Sequence, residues 1–318
     1  MPSPNFDTLP AEYQYLLQLA KEKNQLEVAP LDELKGGRTG AYLYLVSVFI
    51  GDSHHVKHFI LKFDYVGGAT RQTEKERHHN ALSHAPKNFA AQNMAKLAYE
   101  FEHEGAVALF YTVAGQSLQH FRPLASQEQQ SRLEKLFGAT TQYILEEWNS
   151  AAVFEQAVHP QKLLEKWLGY RLKADGQISA FIKNIFHLDP HTEGFLIQGQ
   201  VFPNPFIFGL DTTRWHKARP IDVLTGFQHG DLNIANILTR FAEDTVELDG
   251  YFLIDFALYK PQMPLFYDQR YLETSYLIRE LNRSSFQKWV ALISQFSSRD
   301  TPNSKEIPVE LAGACEVI

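Results

Sequence analysis

Cysteine is nearly absent from this chain, and its scarcity bears on the compartment in which the protein works. Among 318 residues there is one cysteine, Cys315, which cannot form a disulfide within the chain. Residues 1–7 also lack the basic start and apolar stretch of a secretory signal. A reducing, cytoplasmic location is therefore expected.

Long hydrophobic runs and an excess of positive charge are missing as well. The longest strongly apolar run, residues 41–50, is too short to cross a bilayer and is expected to be a buried strand. A formal net charge of -7 gives no electrostatic reason to bind nucleic acids in general. Neither a membrane nor a nucleic acid is therefore an expected partner. The hydrophobic share of 44% is too high for a mainly disordered chain.

The hydrophobic pattern predicts three parts. Residues 1–35 are expected to be a helical preamble. Residues 36–113 combine strand-like runs with one charged helix, which predicts a small, mainly antiparallel lobe. Residues 114–318 are expected to form a larger helical lobe with an irregular insertion near 187–227, so the expected fold class is α+β. The strands of the small lobe are expected at residues 42–50, 56–64, 94–101 and 106–113.

The helical part is expected to contain several amphipathic helices and one that has no visible end. Residues 308–318 have a helical pattern that stops before any end signal, so the chain is expected to be cut from a longer protein. The other helices are expected near residues 11–23, 70–82, 126–148, 160–173, 177–186, 268–282 and 285–297.

A polar segment near residue 230 has the residues needed for chemistry. Asp231 follows His229 and Gly230, and Asn236 opens the next apolar strand. Asp255 ends the strand after that, where burying an acid costs free energy unless something such as a metal ion compensates it. Phosphoryl transfer needs one carboxylate that takes the proton of a hydroxyl. It also needs an Asn and a second carboxylate that hold Mg²⁺.

A cation for nucleotide phosphates is expected from Lys62, in the middle of the apolar run 59–63. A lysine there is costly to bury alone, so an acidic partner is expected on the helix that follows. Glu76 is the first choice for this partner and Glu74 is the second. A turn that contains Gly36, Gly37 and Gly40 precedes the first strand, where backbone amides can cover phosphates.

Each of these residues also has an interpretation without chemistry. Asp231, Asn236 and Asp255 are residue types that cap helices and form turns. Lys62 is then a surface lysine on an edge strand, and Glu76 belongs to a solvated helix face. The glycine turn is then a plain hairpin. Five histidines are expected to lie exposed on a hairpin and a helix: His54, His55, His58, His78 and His79.

The order of the polar motifs resembles that of the protein-kinase-like phosphotransferases, and most closely their aminoglycoside phosphotransferase and choline kinase branch. That branch has the catalytic-loop sequence His-Gly-Asp, which this chain has at His229-Gly230-Asp231, and the resemblance covers roughly residues 34–298. It implies a two-lobed fold with ATP between the lobes. The motifs, in chain order, are the glycine turn, Lys62, Glu76, His229-Gly230-Asp231, Asn236 and Asp255-Phe256.

The resemblance also implies roles. Asp231 would be the catalytic base in a loop with Asn236, and His229 would brace that loop through hydrogen bonds. Asn236 and Asp255 would hold Mg²⁺. Lys62 would bind the α- and β-phosphates of ATP and pair with Glu76. Residues 111–115, with Val113 at their centre, would be a hinge whose backbone binds adenine.

Two departures and an open question accompany these roles. Asn233 stands where the branch usually has His, and Ala257 replaces the glycine of protein kinases. Residues 253–273 also resemble kinase-like domains of bacterial ternary conflict systems, which implies a fused or associated signalling NTPase as a partner. The acceptor, a small molecule or a partner protein, is not identified. A nucleotide-binding sensor or scaffold without useful turnover is the alternative, although a pure binder has no need of Asp231.

Overall fold

The protein has an α+β fold, seen in a computed structural model whose chain divides into two compact units. The first unit comprises residues 1–150, 229–260 and 268–318, and the second comprises residues 151–228 and 261–267. The predicted boundary between a small and a large lobe at residue 113 remains a prediction. The structure describes residues 5–34, 42–51, 56–65, 73–112, 121–124, 130–185, 187–197, 200–204, 206–242 and 245–281.

Helices and strands are interspersed along the described part of the chain. The helices are α1 (Ala11–Asn24), α2 (Glu74–His84), α3 (Lys87–Asn93), α4 (Gln130–Tyr143), α5 (Pro160–Leu168), α6 (Gln177–Ile185), α7 (Ile207–Leu210) and α8 (Tyr267–Leu281). The strands are β1 (Leu26–Glu33), β2 (Tyr42–Ile50), β3 (Val56–Tyr65), β4 (Lys96–His103), β5 (Ala106–Thr112), β6 (Phe121–Pro123), β7 (Val153–Val158), β8 (Gly194–Ile197), β9 (Gln200–Pro203), β10 (Ile221–Gln228), β11 (Ile237–Ala242), β12 (Thr245–Leu253) and β13 (Lys260–Pro264). Among the described residues, no helix is both long enough and apolar enough to cross a lipid bilayer.

A five-stranded antiparallel sheet in the first unit places Lys62 inside the protein. Its strand order is β1-β2-β3-β5-β4, so β3 has hydrogen-bonded neighbours on both sides. Alternate residues of a strand point to opposite faces. Phe59, Leu61 and Phe63 therefore pack in one core with α1, while Ile60 packs in another with residues of β11 and β12. Lys62 shares the second face with Ile60.

The sequence predicts four strands of this sheet well and the edge strand β1 poorly. Strands β2, β3, β4 and β5 lie within about two residues of their predicted positions. Residues 26–33 were expected in a helical preamble, but they form the edge strand β1. Its register shifts between Pro30 and Asp32, and a proline is tolerated only at such an edge or bulge. A strand of this kind lacks the alternating pattern that identifies strands in a sequence.

The second unit contains a small sheet in the order β13-β10-β7 and a separate β8–β9 hairpin. It includes the described part of the predicted insertion near 187–227. Leu196 and Val201 pair across the hairpin and are 73% and 76% exposed, so apolar residues here lack the alternation with polar ones that marks a half-buried strand in a sequence. The predicted helices at 285–297 and 308–318 lie outside the described residues.

Candidate functional site

Lys62 lies at the centre of a network of charged side chains within the first unit. Its side chain is 6% exposed, and its Nζ lies 2.9 Å from Glu74 Oε2 and 3.1 Å from Asp255 Oδ1. Such contacts compensate the cost of burying an ammonium group. The surface-lysine interpretation is therefore wrong, because β3 is an inner strand. The network joins β3, α2 and the end of β12.

The partner of Lys62 on α2 is Glu74, the second choice from the sequence, and the first choice, Glu76, is wrong. Glu76 instead accepts a hydrogen bond from the Thr73 amide at 2.8 Å, and its own amide donates to Thr73 Oγ1 at 3.2 Å. This capping box starts the helix and occupies Glu76. Residues two apart on a helix face different directions, so only one of the two acids can reach Lys62. The Thr-x-x-Glu pattern was the sequence signal that could have separated them.

Each pKa in this network reflects burial opposed by a partner. Burial disfavours the charged form of Lys62, but Asp255 and Glu74 outweigh it and raise the pKa of the ammonium. Burial raises the pKa of Glu74, and Lys62 offsets only part of this. Burial acts in the same direction on Asp255, but Lys62 lowers the pKa of that carboxyl below its ordinary value. The same ammonium thus stabilises both carboxylates.

A third carboxylate lies beside this network. Asp64 follows Lys62 by two positions on β3, and its Oδ2 lies 3.8 Å from Lys62 Nζ. Three carboxyl groups, those of Asp64, Glu74 and Asp255, therefore lie around one ammonium group. A cluster of acidic oxygens of this kind favours a further cation at this place.

The loop that follows β10 is held by hydrogen bonds of two side chains, Asp268 and the loop residue His229. Asp268 accepts the amides of His229 at 2.6 Å and Gly230 at 2.9 Å, and burial raises the pKa of this carboxyl. His229 Nε2 lies 2.9 Å from the Ile254 carbonyl, so this nitrogen must donate. His229 Nδ1 accepts the Asp231 amide at 3.4 Å. These contacts join the His229 ring to Ile254 and to the loop itself.

The backbone of Gly230 packs too closely on its neighbour to accept a side chain. Gly230 has φ +86°, and a Cβ there would lie 2.2 Å from the Leu258 carbonyl oxygen. We expect Gly230→Ala to lower the free energy of unfolding by about 3 kcal/mol, since strain and a clash with backbone act together. Gly105→Ala is the control, because Gly105 has φ +82° with open space around it, and about 1 kcal/mol is expected. Equal losses in denaturant unfolding of the two variants would contradict the clash.

Asn236 joins the loop to the end of β12. Its Nδ2 donates to the Asp231 carbonyl at 2.8 Å and to Asp231 Oδ2 at 3.3 Å. Its carbonyl accepts the amide of Ile254 at 3.1 Å, while the carbonyl of Ile254 accepts from His229. Both ends of the loop are therefore bonded to Ile254, the residue that precedes Asp255.

Two oxygens at this junction suit a magnesium ion. Because Asn236 Nδ2 is engaged with Asp231, its Oδ1 is the side-chain atom left to act as a ligand. Asp255 uses Oδ1 for Lys62, which leaves Oδ2 without a hydrogen bond among the described residues. Among the described residues, no group of three or more His, Cys, Asp or Glu side chains is arranged to hold a metal ion. Mg²⁺ usually binds one or two carboxylates and completes its shell with phosphate oxygens and water.

Helix α2 also contacts the segment after Asp255. Arg77 Nη1 donates to the Ala257 carbonyl, and His84 Nδ1 lies 2.9 Å from the Tyr259 hydroxyl. The ring of His78 lies 5.4 Å from that of Phe256, centre to centre. His78 is fully buried, so the expectation that it is exposed is wrong. The buried residues of α2 are His78 and Ala81. The helix has few apolar residues, so a histidine occupies part of its buried face.

The buried His78 predicts a pH dependence of stability. Burial lowers the pKa of His78 to about 4 from 6.5, so the unfolded chain binds more protons between these pH values. Stability should therefore fall as the pH drops from 6.5 to 4, by about 3 kcal/mol from this residue. We expect His78→Phe to remove this part of the slope, measured by denaturant unfolding across that range. An identical slope in both proteins would contradict the prediction.

The remaining predicted residues are only partly described. Gly36, Gly37, Gly40 and Val113 lie outside the described residues. Tyr111, predicted as the start of a hinge, is described and contributes its hydroxyl to Glu74, a contact with no signal in the sequence. The structure thus brings together Lys62, Glu74, His229, Asp231, Asn236 and Asp255, all from the first unit.

Comparison with known proteins assigns neither a family nor a function to this chain. No model of a known protein family matches the sequence, and no curated protein matches it. The contacts of the site and the order of its motifs are therefore the grounds for its function.

Proposed function

We propose that the protein is a phosphotransferase that uses ATP and Mg²⁺ to move the γ-phosphoryl group to a hydroxyl acceptor. The observation that carries the proposal is the buried Lys62 ammonium between Glu74 and Asp255. Through Ile254, Asp255 adjoins the loop that bears Asp231. A cation, a metal-binding acid and a second acid in one unit are the parts that phosphoryl transfer requires.

The residues would divide the work between binding and proton transfer. Lys62 would bind phosphate oxygens, and Asn236 Oδ1 with Asp255 would hold Mg²⁺, which neutralises phosphate charge when bound. Glu74 would keep Lys62 in place. Asp231 would orient the acceptor hydroxyl and take its proton. The acceptor oxygen then forms a bond to the γ-phosphorus, the bond to the bridging oxygen breaks, and ADP leaves.

A two-lobed kinase-like fold is part of the same proposal. Its support is an antiparallel sheet with the buried lysine on β3, followed by a helix that presents an acid to that lysine. The hinge at residues 111–115 and the glycine turn over the phosphates belong to the proposal as well. So do a cytoplasmic location and a link to a bacterial conflict system with its signalling NTPase.

The acceptor class is less constrained than the phosphate site. The second unit has a cleft of about 380 Å³, which is within the size range of small-molecule sites. Glu165 is its only carboxylate among the described residues. The cleft belongs to the second unit and the residues of the proposed chemistry to the first, so the cleft does not decide the acceptor class. The proposal therefore leaves the acceptor open between a small molecule and a partner protein.

Incubation with γ-labelled ATP and Mg²⁺, alone and with a lysate of the source organism, tests the proposal. We expect Mg²⁺-dependent transfer of label, and the labelled species defines the acceptor class. ATP binding without transfer to any acceptor would instead support the sensor alternative. Absence of any Mg²⁺-dependent nucleotide binding by calorimetry would contradict the whole proposal.

A further inference from the structure

The side chain of Tyr111 is buried, and the proposed chemistry does not yet use it. It lies near the end of β5, opposite Ile60 in the register with β3. Lys62 pairs with Leu109 in the same register, so Tyr111 and Lys62 lie on the same side of the sheet. Tyr111 is only 2% exposed. Its side chain therefore faces the charged network and not solvent.

The hydroxyl of Tyr111 reaches the same oxygen that Lys62 uses. It donates to Glu74 Oε1 at 2.9 Å, and Lys62 Nζ lies 3.0 Å from this atom. A carboxylate can only accept, so the direction of the bond is settled. Burial raises the pKa of Tyr111 well above its ordinary value, so the donor keeps its proton. Lys62 and Tyr111 are the side chains that donate to Glu74 among the described residues.

This shared oxygen gives Tyr111 control over the orientation of Glu74. The Glu74 side chain is 14% exposed, so without the hydroxyl one of its donors is lost inside the protein. The carboxylate would then have only Lys62 to define its rotamer. We propose that Tyr111 is a positioning residue that locks Glu74 against Lys62 and so fixes the ammonium for its ligand. The identity of that ligand, a nucleotide phosphate, rests on the proposed function.

The first test needs no ligand and measures the reactivity of Lys62. The protein is treated with acetic anhydride, and the rate of Lys62 acetylation is read by peptide mass spectrometry. We expect Tyr111→Phe to accelerate it about fivefold to tenfold, since a hydrogen bond to a charged group is lost. Glu74→Gln should also accelerate it. Adding Tyr111→Phe to Glu74→Gln should change nothing further, because the hydroxyl acts through that carboxylate.

Matched variants distinguish the positioning of Glu74 by Tyr111 from a general loss of packing in the protein. Tyr251→Phe is the control, since Tyr251 is fully buried and its hydroxyl has no hydrogen-bond partner among the described residues. It should leave Lys62 reactivity unchanged. Tyr111→Met, which removes the hydroxyl with a flexible side chain, should reproduce the effect of Tyr111→Phe and serves if that variant folds poorly. Unchanged Lys62 reactivity in Tyr111→Phe, or effects that add in the double variant, would overturn the proposal.

A second readout separates this inference from the proposed function. Calorimetry with Mg²⁺ and ATP should show an affinity about fivefold to tenfold lower in Tyr111→Phe, with no further loss on the Glu74→Gln background. If Lys62 reactivity responds as expected but the unaltered protein binds no nucleotide, Tyr111 positions Glu74 and the phosphotransferase function is wrong. If label is transferred normally and both readouts of Tyr111→Phe match the unaltered protein, only the role of Tyr111 is wrong.

Discussion

Asp231→Asn is expected to reduce phosphoryl transfer by about 1,000-fold while nucleotide affinity stays within about twofold. The amide has the shape of the carboxylate but cannot take the proton of an acceptor hydroxyl. Its oxygen can still accept from Asn236 Nδ2, which bonds Asp231 in the unaltered protein, so the loop should keep its form. Initial rates with γ-labelled ATP measure the loss, and calorimetry measures the affinity.

The control for this variant is Asp175→Asn, the same change at an exposed residue of the second unit. It should transfer label at the normal rate. A parallel loss of turnover and of nucleotide affinity in Asp231→Asn would mean that the loop, and not the base, was damaged. Near-normal turnover would contradict the role of Asp231 as the base.

Asp255→Ala should remove Mg²⁺-dependent nucleotide binding, with an affinity loss of at least about 100-fold. The variant lacks the carboxylate that would hold the ion, whereas Lys62 retains Glu74 as a partner at 2.9 Å. Without Mg²⁺ the affinity should stay equal or rise. Removing one of three carboxylates around Lys62 lessens repulsion of the phosphates. Calorimetry with and without Mg²⁺ measures both effects.

Asp64→Asn is the matched control for charge. It removes a negative charge at 3.8 Å from Lys62 but none of the proposed ligands, so Mg²⁺-dependent binding should persist. If both variants lose this binding equally, net charge and not coordination explains the effect. If Asp255→Ala binds Mg²⁺ and nucleotide like the unaltered protein, Asp255 is not a metal ligand.

Patterns within single segments predicted much of the first unit. The strands around Lys62 are apolar runs with clear ends. Helix α4 continues into a π-helical turn at Ile144–Trp148, and the two share a buried apolar face with Leu136, Thr140, Ile144 and Trp148. Each of these elements buries one face, so its apolar residues recur in the sequence with the period of a strand or a helix. Strands β8 and β9 were missed, since Leu196 and Val201 are apolar but exposed and the strands show no alternation of apolar and polar residues.

The candidate site was predictable in its residue types and less so in its pairings. A lysine in a buried strand requires an acid, and the sequence places two acids in the first turn of α2. Which one faces Lys62 depends on where the helix begins, and Thr73 and Glu76 decide this through the capping box. His78 shows the same dependence, since its burial follows from the face that α2 turns toward Phe256.

The amino-acid order alone defines the polar groups, the buried strands and the cost that an unpaired Lys62 would impose. The folded chain decides which residues pair. Lys62 pairs with Glu74 and not with Glu76, and it also contacts Asp255. The hydroxyl of Tyr111 donates to Glu74. Lys62 and Asp255 are 193 residues apart along the chain. Local periodicity cannot encode such contacts, because hydrogen bonds and ion pairs act over a few ångströms and depend on how distant segments pack.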